Sequence, residues 1–235
     1  MKILGIDSSS LVASVAVVAD DVLIAEYTVN FKKTHSQTLL PMLDQVAKMV
    51  ELDLQTIDGI AVAGGPGSFT GLRIGTATAK GLGLALKKPL IHVPTLDAMA
   101  YNMWGSDRLL CPMMDARRNQ VYTGLYRCRL SLEVVKPQWA VDVRELMEDL
   151  NELGQQVLFL GDGVPVYRQQ IEEGLKVPYE FAPAHNNRQR AAAVAVLGGE
   201  YFKQGRIVSA AEFQPNYLRK SQAEREREER QRENE

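Results

Sequence analysis

The spacing of apolar positions along the chain changes several times, and each change marks an element. Lys2 to Asp7 is a nearly continuous apolar run ending on a carboxylate, the mark of a short buried strand. After Ser8-Ser9-Ser10, Leu11 to Ala19 alternates: Val12, Ser14, Ala16 and Val18 oppose Ala13, Val15 and Val17. Asp20-Asp21 makes another turn and Val22 to Val29 a third strand, so the chain opens as an antiparallel meander. The spacing then turns helical. Leu39, Leu40, Leu43, Val46, Ala47 and Val50 form one stripe, predicting a helix from Thr34 or Ser36 to about Leu52. Met42 and Met49 widen that stripe, which points to burial on two sides.

Asp58 to Ala63 reads as a buried strand, and Gly64-Gly65-Pro66-Gly67 after it cannot be helix interior. It is a loop, and Ser68 or Thr70 can cap the helix that follows. Strand, glycine loop and helix start together are expected to present free N–H groups and a positive dipole end, which suit an anion. Within the helix Gly71, Gly75, Ala79 and Gly83 recur every four residues, forming one smooth ridge. Each glycine costs about 1 kcal/mol against alanine in a helix, so the ridge calls for a compensating close contact. That contact is either the chain's own sheet or a helix of another chain. Arg73 and Lys80 exclude a membrane span here.

Leu90 to Val93 is a further strand, and Pro94-Thr95 starts a helix through about Trp104. Gly105-Ser106-Asp107-Arg108 has the composition of a linker. The pattern then restarts. Leu109 to Met114, closing on Asp115, and Val121 to Leu130 read as strands, and Arg144 to Leu153 as a helix. Gln156 to Leu160 is a buried strand closing on Gly161-Asp162-Gly163; Val166 to Gly174 and Gln189 to Lys203 are helical. No sequence repeat is detectable, yet both halves run from a strand with a terminal Asp to a later strand with a glycine turn. We therefore expect an N-terminal lobe over 1–105 and a C-terminal lobe over 106–218. A charged tail follows over 219–235, whose six basic and six acidic residues cancel.

Composition narrows the function classes. The chain has 235 residues, 46% apolar and 24% charged, as ordinary globular proteins have. A net charge of -2 gives no electrostatic case for nucleic-acid binding, and the basic pairs Lys32-Lys33, Lys87-Lys88 and Arg117-Arg118 are scattered. Cys111 and Cys128 are too few and too far apart for a metal knuckle or a disulfide framework, and read as buried thiols of a cytoplasmic protein. No apolar run reaches the roughly 20 residues that span a bilayer, and no signal-peptide pattern opens the chain.

Candidate chemistry is sparse. His35, His92 and His185 are isolated from one another and have no metal-ligand spacing. The glycine loop is neither a nucleophile elbow, a P-loop nor a dinucleotide fingerprint. Asp7 and Asp115 both close strands and could face one another across a cleft, where paired carboxylates can hold Mg²⁺ and nucleotide. Ala116-Arg117-Arg118 lacks the glycines that close phosphate approach needs, so capping of their own turns is the favoured reading. Asp7, Ser8, Gly67, Ser68 and Asp115 are the candidate cofactor-binding residues.

Lys2–Asp7 with its serines, the Gly64–Gly83 run and Asp115-Ala116-Arg117 resemble the TsaB (YeaZ) family. The resemblance covers essentially the whole chain. It implies an α/β, two-lobed actin-like, sugar-kinase and Hsp70-like ATPase fold, each lobe a mixed sheet with flanking helices. It also implies a cytoplasmic, noncatalytic subunit for making threonylcarbamoyladenosine beside the anticodon of tRNAs reading codons that begin with A. The implied partners are TsaD directly, TsaE in a ternary complex, and a second copy when free; tRNA is contacted only weakly or indirectly. No cofactor is expected on the chain alone, and a nucleotide at the interface with TsaD stays open. TsaD-like proteins carry a His-x-Glu-Gly-His metal motif where this chain reads Thr95-Leu96-Asp97-Ala98-Met99. Thr95 and Met99 cannot replace imidazole ligands, so no metal is expected. The expected interface is Leu39, Met42, Val46 and Met49 of the first helix with Gly71, Leu72, Gly75, Thr76, Ala79 and Gly83 of the small-residue helix. The rivals are an ATPase or kinase using Asp7, the glycine loop and Gly161-Asp162-Gly163, a metallopeptidase, and a tRNA-binding module.

Overall fold

The computed structural model describes residues 1–219, so all but the first residue of the charged tail lies outside the described residues. The opening meander is β1 (Lys2–Asp7), β2 (Val12–Ala19) and β3 (Val22–Asn30). Helix α1 (His35–Met49) leads to β4 (Gly59–Ala63), and α2 (Phe69–Leu86) leads to β5 (Leu90–Val93) and α3 (Thr95–Tyr101). The second half is β6 (Ser106–Asp115), β7 (Gln120–Cys128), β8 (Leu132–Asp142), α4 (Val143–Leu153), β9 (Val157–Leu160), α5 (Gly163–Gly174), β10 (Tyr179–Phe181) and α6 (Ala191–Lys203).

The two sheets repeat one plan. The first has the order β3-β2-β1-β4-β5 and the second β8-β7-β6-β9-β10. In each, the first three strands are antiparallel and the last two join in parallel. This is the two-lobed, mixed-sheet architecture that the resemblance implies. The lobes also exchange helices. Ala193, Val194 and Leu197 of α6 pack on Ile3, Ala61 and Ile91 of the first sheet. Leu96, Met99 and Ala100 of α3 pack on Leu110, Tyr126 and Leu158 of the second. Gly5 permits the first exchange, since a Cβ there would overlap the Ala191 carbonyl.

On the outer face of the first sheet, Leu39, Met42, Leu43 and Val46 of α1 and Ala79 of α2 cover Leu4, Ile6, Val15 and Val62. Three elements differ from the sequence reading. Ser106 to Arg108, expected as linker, already belong to β6, and of the expected linker residues only Gly105, at φ 86°, lies in the turn before it. Strand β8 was not expected, because Glu133, Lys136 and Pro137 break its apolar pattern; it is an edge strand, where such residues are tolerated. Three-residue β10 is too short to give any period.

Candidate functional site

Two surfaces are candidates for function: the cleft between the lobes and the outer faces of α1 and α2. The cleft holds about 620 Å³ and is lined by Ser9, His35, Ser68, Asp115, Arg117 and Asp162 among others. The strand-end aspartates perform the same task in both lobes. Asp7 Oδ1 accepts from the Ser9 N–H at 2.9 Å and from the Ser9 hydroxyl at 2.7 Å. Asp115 Oδ1 accepts from the Arg117 N–H at 2.8 Å and from the Tyr167 hydroxyl at 2.8 Å. Each carboxylate caps its own turn, the residue-to-residue-plus-two geometry that Asp favours. The second turn carries Arg117, Arg118 and Asn119 in the left-handed region, with φ of 61°, 55° and 60°. Such backbone is costly away from glycine, and it carries Arg117 to the cleft wall.

Of the five candidate cofactor-binding residues, Gly67, Ser68 and Asp115 line the cleft. Asp7 and Ser8 are buried. Burial raises the Asp7 carboxyl to about 6, against the lowering effect of its bonds to Ser9, and its Oδ2 has no partner. Asp162 is raised to about 6 for the same reason, and its Oδ1 is also unpartnered.

The glycine stretch is differently occupied than its composition suggests. The N–H groups of Gly64, Ser68 and Leu72 donate to the carbonyls of Val93, Ser9 and Ser68. Those of Gly65 and Gly71 donate to the hydroxyls of Thr95 and Ser68. Much of the donor set expected to hold an anion is thus spent inside the chain. Ser68 is the helix cap, as one of the two sequence alternatives had it. Thr95 sits fully buried and bonded to the loop, and Met99 packs in the core beneath α3, so neither side chain faces a ligand. Among the described residues no group of three His, Cys, Asp or Glu could hold a metal ion.

The small-residue ridge turns inward, against the chain's own lobe. A Cβ on Gly71 would overlap the Ser8 carbonyl, one on Gly75 the Ser8 hydroxyl, and one on Gly83 would press on Ala210 and Leu90. Ser8 Oγ donates to the Gly71 carbonyl at 2.8 Å, and Ala79 is fully buried. The close approach the glycines demand is therefore made within the chain, by the β1–β2 turn at Gly71 and Gly75 and by Ala210 and Leu90 at Gly83. Leu39, Met42, Val46 and Leu72 are likewise core residues of the first lobe or its loop. Thr76 is half-buried, and Met49, 82% exposed, is the one expected contact fully open to solvent.

The outer face is built from residues two positions away on the same helix. Arg73, Ala77, Gly81, Leu84 and Ala85 of α2 are exposed, with Leu84 at 64%, and a Cβ on Gly81 would meet nothing. Helix α1 adds exposed Leu40, Pro41, Asp44 and Lys48. Ala77, Gly81 and Ala85 also recur every four residues, so a second smooth ridge was present in the sequence, masked by the first with its three glycines. Among the described residues no helix is long and apolar enough to cross a membrane.

Comparison with known proteins gives a consistent set of likenesses. A family model described as TsaD, tRNA N6-adenosine threonylcarbamoyltransferase, matches residues 23–227. The Bacillus subtilis (strain 168) protein "tRNA threonylcarbamoyladenosine biosynthesis protein TsaB" is 36% identical over 225 residues, covering 95% of this chain and 96% of the relative. The protein of that name from Escherichia coli (strain K12) is 31% identical over 237 residues, again covering 95% and 96%. A solved structure of YeaZ from Pseudomonas aeruginosa aligns with TM-score 0.79 at 25% identity, covering 92% of this chain and 99% of that one.

Proposed function

Because this chain belongs to the TsaB family, we propose that it acts in tRNA threonylcarbamoyladenosine biosynthesis as a partner subunit that does no chemistry itself. In this reading it binds a TsaD-type transferase directly, with TsaE joining the complex, and so supports threonylcarbamoyl transfer to the adenosine beside the anticodon. The observation that carries the reading is the outer surface of α1 and α2. It combines exposed Leu40 and Leu84 with Ala77 and a Gly81 that nothing covers. Two neighbouring helices with small and apolar outward residues can receive two helices of a partner as a four-helix bundle. The cleft supports the negative half: Asp115 on its wall and the buried Asp7 are both engaged in capping, and no ligand histidines stand at Thr95 and Met99. A partner of this kind acts by favouring one conformation of the transferase, and its effect is bounded by its differential affinity for the two states. Direct tRNA contact is weak and salt-sensitive at a net charge of -2.

Reconstitution of tRNA modification from purified subunits tests this. Activity should require this chain together with the TsaD-type subunit, and the chain alone should transfer nothing. Turnover by the isolated chain would overturn the reading. A second reading, a nucleotide-hydrolysing enzyme, draws on the unpartnered Asp162 Oδ1 at the cleft. Calorimetry of the chain with Mg-ATP separates the two, since micromolar binding with hydrolysis belongs only to the enzyme.

A further inference from the structure

The segment that follows α6 has no secondary structure of its own, yet it is tied down along its whole length. It runs beside α2 in the opposite direction. Val208 exchanges both backbone hydrogen bonds with Leu90 at 2.9 Å, and Ala210 lies against Gly83 near the end of the helix. Lys80 Nζ then donates to the carbonyls of Ala211 and Phe213 at 2.8 and 3.2 Å, and the Phe213 ring is buried in the core of the first lobe. At the start of α2 the Asn216 N–H donates to the Gly64 carbonyl at 2.6 Å, and the Tyr217 ring lies 4.7 Å from that of Phe69. Here the segment leaves the first lobe. Arg219 Nη1 donates to the Ala116 carbonyl of the second lobe at 3.0 Å. All four residues from Asn216 to Arg219 line the cleft.

We propose that residues 214–219 are a strap across the mouth of the cleft, with the glycine loop as its seat and Arg219 as its latch, and that the lobes separate when the latch lets go. The seat is shaped for the strap. Gly65 stands at φ 117°, and a Cβ there would overlap the Asn216 carbonyl, so only glycine leaves the strap its place. The loop that composition offers to an anion thus receives the chain's own C-terminal segment. The two ends of the strap are held unequally. In the first lobe a backbone bond, a ring contact and the buried Phe213 side chain act together. In the second lobe the hold is one guanidinium on one backbone carbonyl, at a half-buried position. A segment fixed at one end and lightly held at the other is built to release, and it makes entry to the cleft conditional on that release. Gln138 of β8 also reaches the loop, donating to the Gly65 carbonyl at 3.3 Å, and this longer bond remains when the strap is free.

Spin labels on the full chain test the proposal. Cys111 and Cys128 are buried and take no label. Thr70→Cys in α2 and Val166→Cys in α5 place one exposed label in each lobe. The distance between the labels should be narrowly distributed when the strap is intact. Arg219→Ala and Tyr217→Ala should each lengthen and broaden it, and Arg219→Lys, which keeps a charged donor, should fall between. Hydrogen exchange gives a second readout. In Arg219→Ala the amides of Gly65 and Ser68 in the first lobe and of Gly161 in the second should exchange about tenfold faster, since opening exposes both walls of the cleft. Circular dichroism verifies that each variant is folded. A distance distribution unchanged by both Arg219→Ala and Tyr217→Ala would overturn the proposal. So would faster exchange confined to residues 214–219, which is the fraying of a chain end and not the opening of two lobes.

Discussion

Helix α2 has two smooth ridges, and they face opposite ways. Gly71, Gly75, Ala79 and Gly83 lie against the Ser8 turn, Ala210 and the lobe's own core. Ala77, Gly81 and Ala85 lie open. The same residue types at the same spacing therefore stand in two settings, one filled by the chain's own fold and one open on the surface. Spacing states that something must come close, and only the fold states what. The inner ridge is filled because the β1–β2 turn is drawn tight by Asp7, whose carboxylate orders Ser9, which in turn accepts from Ser68.

If that division is right, the largest effect belongs to the inner ridge. Gly71→Leu forces a side chain into the Ser8 backbone and should cost about 3 kcal/mol or more of stability, read by urea denaturation. The turn itself gives the next effect. Asp7 and Asp162 are both raised to about 6 by burial, so the folded chain holds protons that the unfolded chain has released. Their protonated forms leave stability intact below about pH 4, and stability falls as pH rises to about 6. The two groups together should make this fall about 2–5 kcal/mol, and Asp7→Asn should reduce it to about half. Equal slopes in both proteins would place the titration elsewhere. Ser8→Ala removes the hydroxyl that donates to Gly71 and should cost about 1 kcal/mol, measured the same way. Smallest is the outer counterpart: Gly81→Ala, in open space, should stabilise the chain by up to about 1 kcal/mol, seen as a higher melting temperature.

Much of the fold was legible because buried elements keep a clear period. Strands β1, β2, β4 and β9 are nearly continuous apolar runs, and Asp7 and Asp115 announced their strand ends and their capping. Exposed edges were not legible: β8 mixes charges and Pro137 into its pattern, and β10 is too short to have one. The exchange of α3 and α6 between lobes was hidden as well. Both helices are apolar on most sides, so periodicity does not say which sheet each one covers. At the candidate interface the existence of a smooth helix was readable from the glycines. Its direction was not, because the Ser8 turn that fills the ridge lies 63 residues away in sequence from Gly71.

Docking through the outer face of α1 and α2 is tested most directly by titrating a purified TsaD-type subunit against wild-type chain and Gly81→Arg in a calorimeter, with the fold of each checked by circular dichroism. A bulky charge on the open ridge should leave the variant as stable as wild type and weaken binding by at least about thirty-fold. Undiminished binding by a folded Gly81→Arg chain would contradict the account.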